Sequence, residues 1–350
     1  MQLRFMSKGK FKICIVGLGW WGKVMVTRLC ESNVVEITAL VDPYPDTEIT
    51  QRAASLHIDI VPDLDTAILS HEVDGVILCT PNLLHLSQVE FLASGGKHVY
   101  CEKPLCLTKA DAERMVASCN RAGVLLGVGH ERRYEPAWSK LRELVVNGDL
   151  GTIMYAEGHF SHDKLSGLST DNWRADPAVA PAAGMTGMGV HLTDLMLWMF
   201  GPVDLVFSGV SHRKLEFATG DVVSASLHHT NGVKCQITAL LKTPHYQRVT
   251  VWGDRAWAEV VDSSHPDTPG TSKLIISHSD GSIDTEEYQW VDTVSANVES
   301  FALSAQGKQS YLFSDSEKID NVALLEAIKI SSTLGEPVRP ETLRLYTDAH

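Results

Sequence analysis

The chain has 350 residues, 44% of them hydrophobic, and a formal net charge of -13. A single hydrophobic core stops growing at roughly 250–300 residues, so two domains are expected. The acidic balance, with no cluster of Lys and Arg to offset it, argues against a nucleic-acid surface, and no apolar run approaches the about 18 residues that a membrane span needs. The seven cysteines fall mostly inside apolar strand or helix patterns, which suits reduced thiols and a cytoplasmic protein. Cys101 and Cys106 lack a second ligand pair at zinc spacing, so no metal is expected. The leading segment Met1–Lys10 reads as a flexible tail, with Met6 as an alternative start.

Phe11–Val16 is a buried-strand pattern, and Gly17-Leu18-Gly19-Trp20-Trp21-Gly22 follows at once, leading into a helix over Lys23–Cys30. Strand, glycine turn and helix in that order form the dinucleotide fingerprint. Gly17 allows the tight turn, Gly19 lets the backbone approach a pyrophosphate, and Gly22 lets helix and strand pack closely. The amides at the helix start, around Trp20 and Trp21, then meet the phosphates. Val34–Val41 is a second strand, ending in Asp42 about 20 residues beyond the glycines, where a carboxylate bonds the ribose hydroxyls of NAD. No Arg or Lys follows Asp42 directly, so the 2′-phosphate of NADP would meet repulsion and NAD is expected as cofactor.

Helices over Glu48–Leu56 and Leu64–Ser70 flank a short strand, Ile58–Val61. The apolar strand Asp74–Cys79 runs into Thr80-Pro81-Asn82-Leu83-Leu84-His85, whose polar members are placed to touch the nicotinamide ribose. A helix over Gln88–Ser94, a strand over Lys97–Tyr100, a helix over Ala110–Arg121 and a strand over Val124–Val128 complete a doubly wound parallel sheet. The strand ending at Tyr100 delivers Cys101-Glu102-Lys103-Pro104. A lysine at a strand's carboxyl end faces the crevice where such sheets bind ligands, so Glu102 and Lys103 are candidates at the cofactor and Lys103 for the chemistry.

These segments, with GHERRYEPAWSKL, NWRADP, GMGVHLTDLMLWMFG and KIDNVALLEAIKISSTLGEPV further on, occur together and in order over nearly the whole chain. In this the chain resembles the Gfo/Idh/MocA family, which includes glucose–fructose oxidoreductase and inositol dehydrogenases. The resemblance implies an N-terminal Rossmann domain, residues 1–130, and a C-terminal substrate-binding and oligomerisation domain, residues 131–350, built on an open, mostly antiparallel sheet. It implies NAD or NADP chemistry on sugars, polyols and their derivatives. It marks Glu131 and Arg132, after the sixth strand, as residues near cofactor and substrate. It also places His162 and Asp163, at the end of the strand Thr152–Phe160, in a sugar pocket, together with Trp173 and Arg174 of the NWRADP motif.

His191 follows the glycine-rich approach Gly184–Gly189 and precedes a helix over Leu192–Phe200. A histidine there faces a crevice or packs in a core, and the family motif assigns it to catalysis and substrate binding. The family usually has an aspartate four residues earlier, where this chain has Gly187. Either Lys103 and His191 suffice, or another carboxylate such as Asp163 fills in, or the chemistry differs. From Val203 the pattern is strand after strand, with Asn231-Gly232 as a hairpin signal. The segment Asp262–Ser272 reads as a mobile loop, and Val322–Leu334 as a last helix able to pack back on the first domain.

The expected activity is hydride transfer between a secondary alcohol of a sugar, sugar derivative or cyclic polyol and the nicotinamide. Without the nearby aspartate, the His191 imidazole is expected close to its reference pKa of about 6.5 and able to accept a proton. That makes it the general base, with Lys103 stabilising the alkoxide; the reverse assignment is the rival. Two other readings remain: an NAD-dependent glycosidase using transient oxidation, and a non-catalytic dinucleotide-binding regulator. The expected partner, besides the small-molecule substrate, is a second copy of the chain, as a homodimer or a tetramer through the open sheet.

Overall fold

The computed structural model describes residues 9–266 and 268–347. Met1–Lys8 of the leading segment and Asp267 of the loop expected at Asp262–Ser272 therefore lie outside the described residues. The chain divides into two compact units. The first takes the described residues up to 105, with 114–129 and 294–314; the second takes 106–113, 130–293 and the described residues from 315.

The elements up to residue 128 are β1 (Phe11–Val16), α1 (Trp20–Leu29), β2 (Val35–Val41), α2 (Thr47–Leu56), β3 (Asp59–Val61), α3 (Leu64–Ser70), β4 (Gly75–Leu78), α4 (His85–Ser94), β5 (His98–Cys101), α5 (Lys109–Ala122) and β6 (Leu126–Val128). The six strands form one sheet in the order β3-β2-β1-β4-β5-β6, every pair parallel. β1 lies between β2 and β4, so the order reverses there, and an α/β sheet opens a ligand crevice at such a point. The strands are almost wholly apolar because both faces are covered.

The second unit contains α6 (Pro136–Val146), β7 (Ile153–Ser161), α7 (Gly189–Phe200), β8 (Val203–Ser211), β9 (Val222–His229), β10 (Lys234–Leu240), β11 (Tyr246–Gly253), β12 (Ala256–Asp262), β13 (Thr271–His278) and β14 (Ile283–Gln289). Two further helices follow, α8 (Thr293–Ala305) and α9 (Asp315–Leu334). The eight strands form one sheet, β14-β13-β12-β11-β7-β10-β9-β8, antiparallel throughout except where β10 runs parallel to β7. That architecture is the expected one: a parallel doubly wound sheet, and a second, mostly antiparallel sheet.

On one face of the large sheet, Val223, Ala225, Ile237, Ala239, Val249 and Val251 are buried against Leu192, Leu195 and Met196 of α7 and Leu324, Ala327 and Ile328 of α9. α7 is buried almost all round, which marks an interior helix. It starts at Gly189, earlier than the sequence pattern suggested, so His191 sits inside its first turn. α9 is longer than the expected 322–334 and packs within the second unit on β8 and α7.

α8 was not anticipated. Val294, Val298, Phe301 and Ala302 recur at helical spacing and are buried in the core of the first unit. Asn297 on the same helix donates to the Tyr100 hydroxyl at 3.0 Å and to the Val128 carbonyl at 2.9 Å.

α7 is fixed by a charge in the interior. The fully buried Arg133 guanidinium donates to both Asp194 oxygens, at 2.9 and 2.7 Å, and to Glu317 of α9 at 2.6 Å. Its flat face lies 5.3 Å from the Trp198 ring centre. Removing one partner of such a pair leaves a buried charge uncompensated. Asp194→Ala should therefore cost about 3–5 kcal/mol in urea unfolding followed by tryptophan fluorescence; a loss below about 1 kcal/mol, the size of an exposed pair, would contradict this role.

Candidate functional site

In the first unit, the turn after β1 is shaped for an anion. Gly17 has φ +86, and a Cβ there would stand 2.9 Å from the Cys79 carbonyl carbon. A Cβ on Gly22 would stand 2.0 Å from the Gly17 carbonyl oxygen, so only glycine lets α1 seat this closely on β1. At Gly19 a Cβ would meet nothing within 4 Å. Gly19 caps α1 without a side-chain hydrogen bond, and no acidic residue occupies the first turn. The helix therefore presents uncapped amides and its positive end to open space, which suits a phosphate. Trp20 is 53% exposed beside this end, its ring 5.3 Å from that of Trp21. The Trp21 Nε1 is enclosed without a hydrogen-bond partner among the described residues.

Asp42 stands at the carboxyl end of β2, with Oδ2 accepting from the Leu18 amide at 2.8 Å and Oδ1 from the Tyr44 amide at 2.8 Å. Each oxygen keeps acceptor capacity for a hydroxyl. Lys23, on the helix that follows the glycine turn, is held by Asp46 at 2.6 Å and by Glu48. Arg52 donates to the Cys30 sulfur at 3.4 Å. The open cradle and the fixed carboxylate fit a dinucleotide: Gly17–Trp21 would hold the pyrophosphate and Asp42 the ribose diol.

At the end of β4, the Thr80 hydroxyl donates to Gln88 at 2.6 Å, and Pro81 and Asn82 carry the chain into α4. His85 is buried, its ring nitrogens 3.0 Å from the Leu105 and Thr80 carbonyls. Burial lowers its pKa below the usual imidazole value. That arrangement fixes the turn around Thr80 and the segment after Lys103. The Lys103–Pro104 bond is cis. The buried Glu102 carboxylate accepts from the Lys103 amide at 3.1 Å, and a Cβ on Gly129 would stand 2.5 Å from its oxygens.

In the second unit, the segment after β6 carries four ionisable side chains into the interior, Glu131, Arg132, Arg133 and Glu135. Arg132 bonds Glu135, stands 3.2 Å from Asp262 and 3.6 Å from Glu131, and lies 5.3 Å over the Phe160 ring. Trp138 donates to Glu135 at 2.7 Å. His191 is 5% exposed, with its Nδ1 3.9 Å from the Glu131 carboxylate. The rings of His130 and Phe160 stand 6.1 and 6.0 Å from it. His130 Nε2 accepts from Asn321 at 2.9 Å, and Asn321 accepts from the Thr193 hydroxyl at 2.6 Å.

Other expected site residues in this unit are arranged differently. His162 is buried against Phe160, with its Nδ1 accepting from the Lys164 amide at 3.2 Å. Asp163 has a side chain 58% exposed and 3.9 Å from Lys242. Trp173 and Arg174 stack on each other at 4.1 Å, and burial lowers the Arg174 pKa. At Gly187 a Cβ would touch only Leu165, at 3.4 Å. The sequence reading did not single out Glu135, Asp262, His130 or Asn321. Asp262 fell in the segment expected as a mobile loop, yet it is buried at the end of β12 as a partner of Arg132. Asn321 was visible as a polar residue within the apolar pattern of α9.

Among the described residues no helix is long and apolar enough to cross a membrane. A doubly wound sheet with an open phosphate cradle and an acid at the end of its second strand defines a dinucleotide-binding protein. Residues 11–130 match the model of an oxidoreductase family with an NAD-binding Rossmann fold, and residues 138–259 match the C-terminal domain of the same family. The chain belongs to the GFO/IDH/MocA family.

Among curated relatives, a 2,7-anhydro-N-acetylneuraminate hydratase of Mediterraneibacter gnavus is 33% identical over 59% of this chain and 55% of its own length. A D-apiose dehydrogenase of Paraburkholderia graminis is 29% identical over 64% and 59%. The chain spans less than two thirds of the length of these relatives. An aldose–aldose oxidoreductase from Caulobacter crescentus, solved with glycerol, has the same fold. It aligns over 94% of this chain and 99% of its own, with TM-score 0.83 and 22% identity.

Burial pushes the Glu135 carboxyl up from its ordinary 4.5 to about 8, against the pull of Arg132, and a bond with Asp262 adds to the rise. The folded protein therefore keeps a proton that the unfolded chain releases between those values. The stability this provides is whole below the lower value and is lost as pH rises toward the upper one. Glu135→Gln should flatten the fall in Tm between about pH 5 and pH 8. An unchanged slope would contradict this protonation state.

Proposed function

We propose that this protein uses NAD to transfer a hydride to or from a secondary alcohol of a sugar, sugar derivative or cyclic polyol. The observation that carries the reading is His191, buried in the first turn of α7 with a carboxylate at 3.9 Å, in a chain whose other unit belongs to an NAD-binding oxidoreductase family. The D-apiose dehydrogenase among its relatives supports the substrate class. Bound NAD would supply the hydride acceptor. His191 takes the hydroxyl proton at its ring, and Lys103 bonds the substrate oxygen and stabilises the alkoxide through its ammonium. Glu131, Arg132, His162, Asp163, Trp173 and Arg174 are the candidates to bind the sugar.

A second reading is favoured by the hydratase among the relatives and by Gly187. In it oxidation is transient and the net reaction is elimination, hydration or hydrolysis. A panel of sugars, sugar acids and cyclic polyols, followed by absorbance of the reduced nicotinamide, separates the two. Lasting NADH production supports oxidation; altered product without net NADH supports the transient cycle. Change in neither readout across the panel overturns both.

With an active substrate, His191→Ala and Lys103→Ala should each cut turnover by roughly 10²–10⁴-fold while NAD binding persists. The acidic limb of the pH profile should vanish in His191→Ala and persist in Lys103→Ala. Near-full activity in both variants would sink the assignment.

The preference for NAD rests on Asp42 and on Lys23 being tied to Asp46 and Glu48. Asp42→Ala should weaken NAD binding and narrow the gap to NADP in fluorescence titrations. Tighter binding of NADP than NAD to the unaltered protein would refute the preference.

The outer face of the large sheet carries Tyr155 and Trp252, with rings 5.9 Å apart, and Arg248 beside Glu157 and Glu259. A second copy of the chain covers it in this reading. Light scattering should report a dimer or tetramer at micromolar concentration, and a monomer would contradict it.

A further inference from the structure

We propose that Glu131 is the positioning carboxylate of His191: it holds the ring with Nδ1 as the N–H, so that Nε2 is left to accept the substrate proton. The inference rests on the reading of His191 as general base and deepens it.

Three observations within the second unit support it. Glu131 and His191 are both buried, at 3% and 5% exposure, with Oε1 and Nδ1 3.9 Å apart. A neutral imidazole has one donor and one acceptor nitrogen, and a carboxylate accepts only, so it selects the tautomer with the proton on the facing nitrogen. At 3.9 Å the pair is an ion-pair contact just beyond hydrogen-bond length, and such contacts commonly tighten when substrate is bound. Second, the ring has little room to turn, since His130 stands edge-on at 6.1 Å and Phe160 tilted at 6.0 Å. His130 is itself held by Asn321, and Asn321 by Thr193 of the same helix as His191.

Third, the rival carboxylates are committed elsewhere. Asp194, one turn along α7, takes both forks of Arg133. Asp163 is mostly exposed and near Lys242. Glu135 and Asp262 bond the Arg132 Nη1, and its Nε stands 3.6 Å from Glu131. Arg132 thereby helps to keep Glu131 in place. Gly187 provides no side chain, and the space next to it is bounded by Leu165 at 3.4 Å. The carboxylate comes from the segment after β6 instead.

The charged and titratable groups on the elements around His191 are His130, Glu131 and Arg132 after β6, His159 and His162 on and after β7, Asp194 on α7, and Glu317 on α9. Arg133 neutralises the last two. Burial and Arg248 lower the His159 pKa, so that ring is neutral in the same range. Among these groups Glu131 has a carboxylate oxygen 3.9 Å from the His191 ring.

The test reads the His191 ring directly, without substrate. Nitrogen-15 imidazole spectra of the full-length protein with NAD, recorded across pH, should assign the proton to Nδ1 in the neutral ring. Glu131→Gln should lower the His191 titration midpoint by about half a unit or more, because a carboxylate beside an imidazole favours its charged form. Glu131→Asp should restore most of the shift. Asp163→Asn should leave the midpoint where it is. A neutral ring protonated on Nε2, or a midpoint that moves with Asp163→Asn and not with Glu131→Gln, overturns the proposal. Circular dichroism of each variant confirms the fold. Where a substrate is in hand, Glu131→Gln should lower kcat about tenfold or more, shift the acidic limb with the NMR midpoint, and leave KM for NAD unchanged. If the spectra behave as stated and no sugar is turned over, the reading of the reaction fails while the pairing stands.

Discussion

The second unit is organised by the cost of putting charge in its interior. Glu131, Arg132, Arg133 and Glu135 leave the end of β6 together and are all buried. An uncompensated charge there would cost several kcal/mol, so each must find a partner. Arg133 finds Asp194 and Glu317 and so locks α7 to α9. Arg132 finds Glu135 and Asp262 and so fixes the end of β12 and the Phe160 ring beneath it. Glu135 meets the demand by keeping its proton. Glu131 lies 3.6 Å from Arg132 and 3.9 Å from His191. The compensation that holds the helices in register thus also brings a carboxylate beside the buried imidazole of α7's first turn.

The first unit solves a different problem, how to bring backbone amides to a polyanion without a charged side chain. Gly17 and Gly22 let the turn and α1 come closer to β1 and β4 than any side chain would permit. Asp42 then ties the turn from below through the Leu18 amide. One carboxylate therefore fixes the turn after β1, and in the proposed reading the same carboxylate takes the ribose diol. Tying Lys23 to Asp46 and Glu48 keeps positive charge from accumulating beside it.

Much of this was legible in the sequence where the signal is local. The strand–glycine–helix order at Phe11–Leu29, the exact span of α3, and the Asn231-Gly232 hairpin depend on neighbours in the chain, and all are found. The helix start at Gly189 was read late because glycines count against helix when judged one at a time, whereas tertiary burial decides here. α8 follows a long strand-rich stretch and was passed over there although its apolar spacing was present. The parallel pairing of β7 with β10 has no local signature at all, since it joins strands separated by α7 and two others. The partner of His191 was out of reach for the same reason: Glu131 is distant in sequence, and nothing in the residues around position 187 points to it. Asp262 looked like loop chemistry because an acid followed by Ser and Pro is a turn signal; its burial follows from Arg132, which no local window contains.

The central claim is that a carbinol hydrogen of the substrate passes to the nicotinamide, whether or not it stays there. Stopped-flow absorbance within a single turnover, using a substrate from the sugar panel carrying deuterium at the reacting carbon, tests it most directly. The account predicts a rise in reduced nicotinamide that deuterium slows, followed by a plateau for net oxidation or a decay for a transient cycle. Turnover of that substrate with no reduced nicotinamide at any time would contradict it.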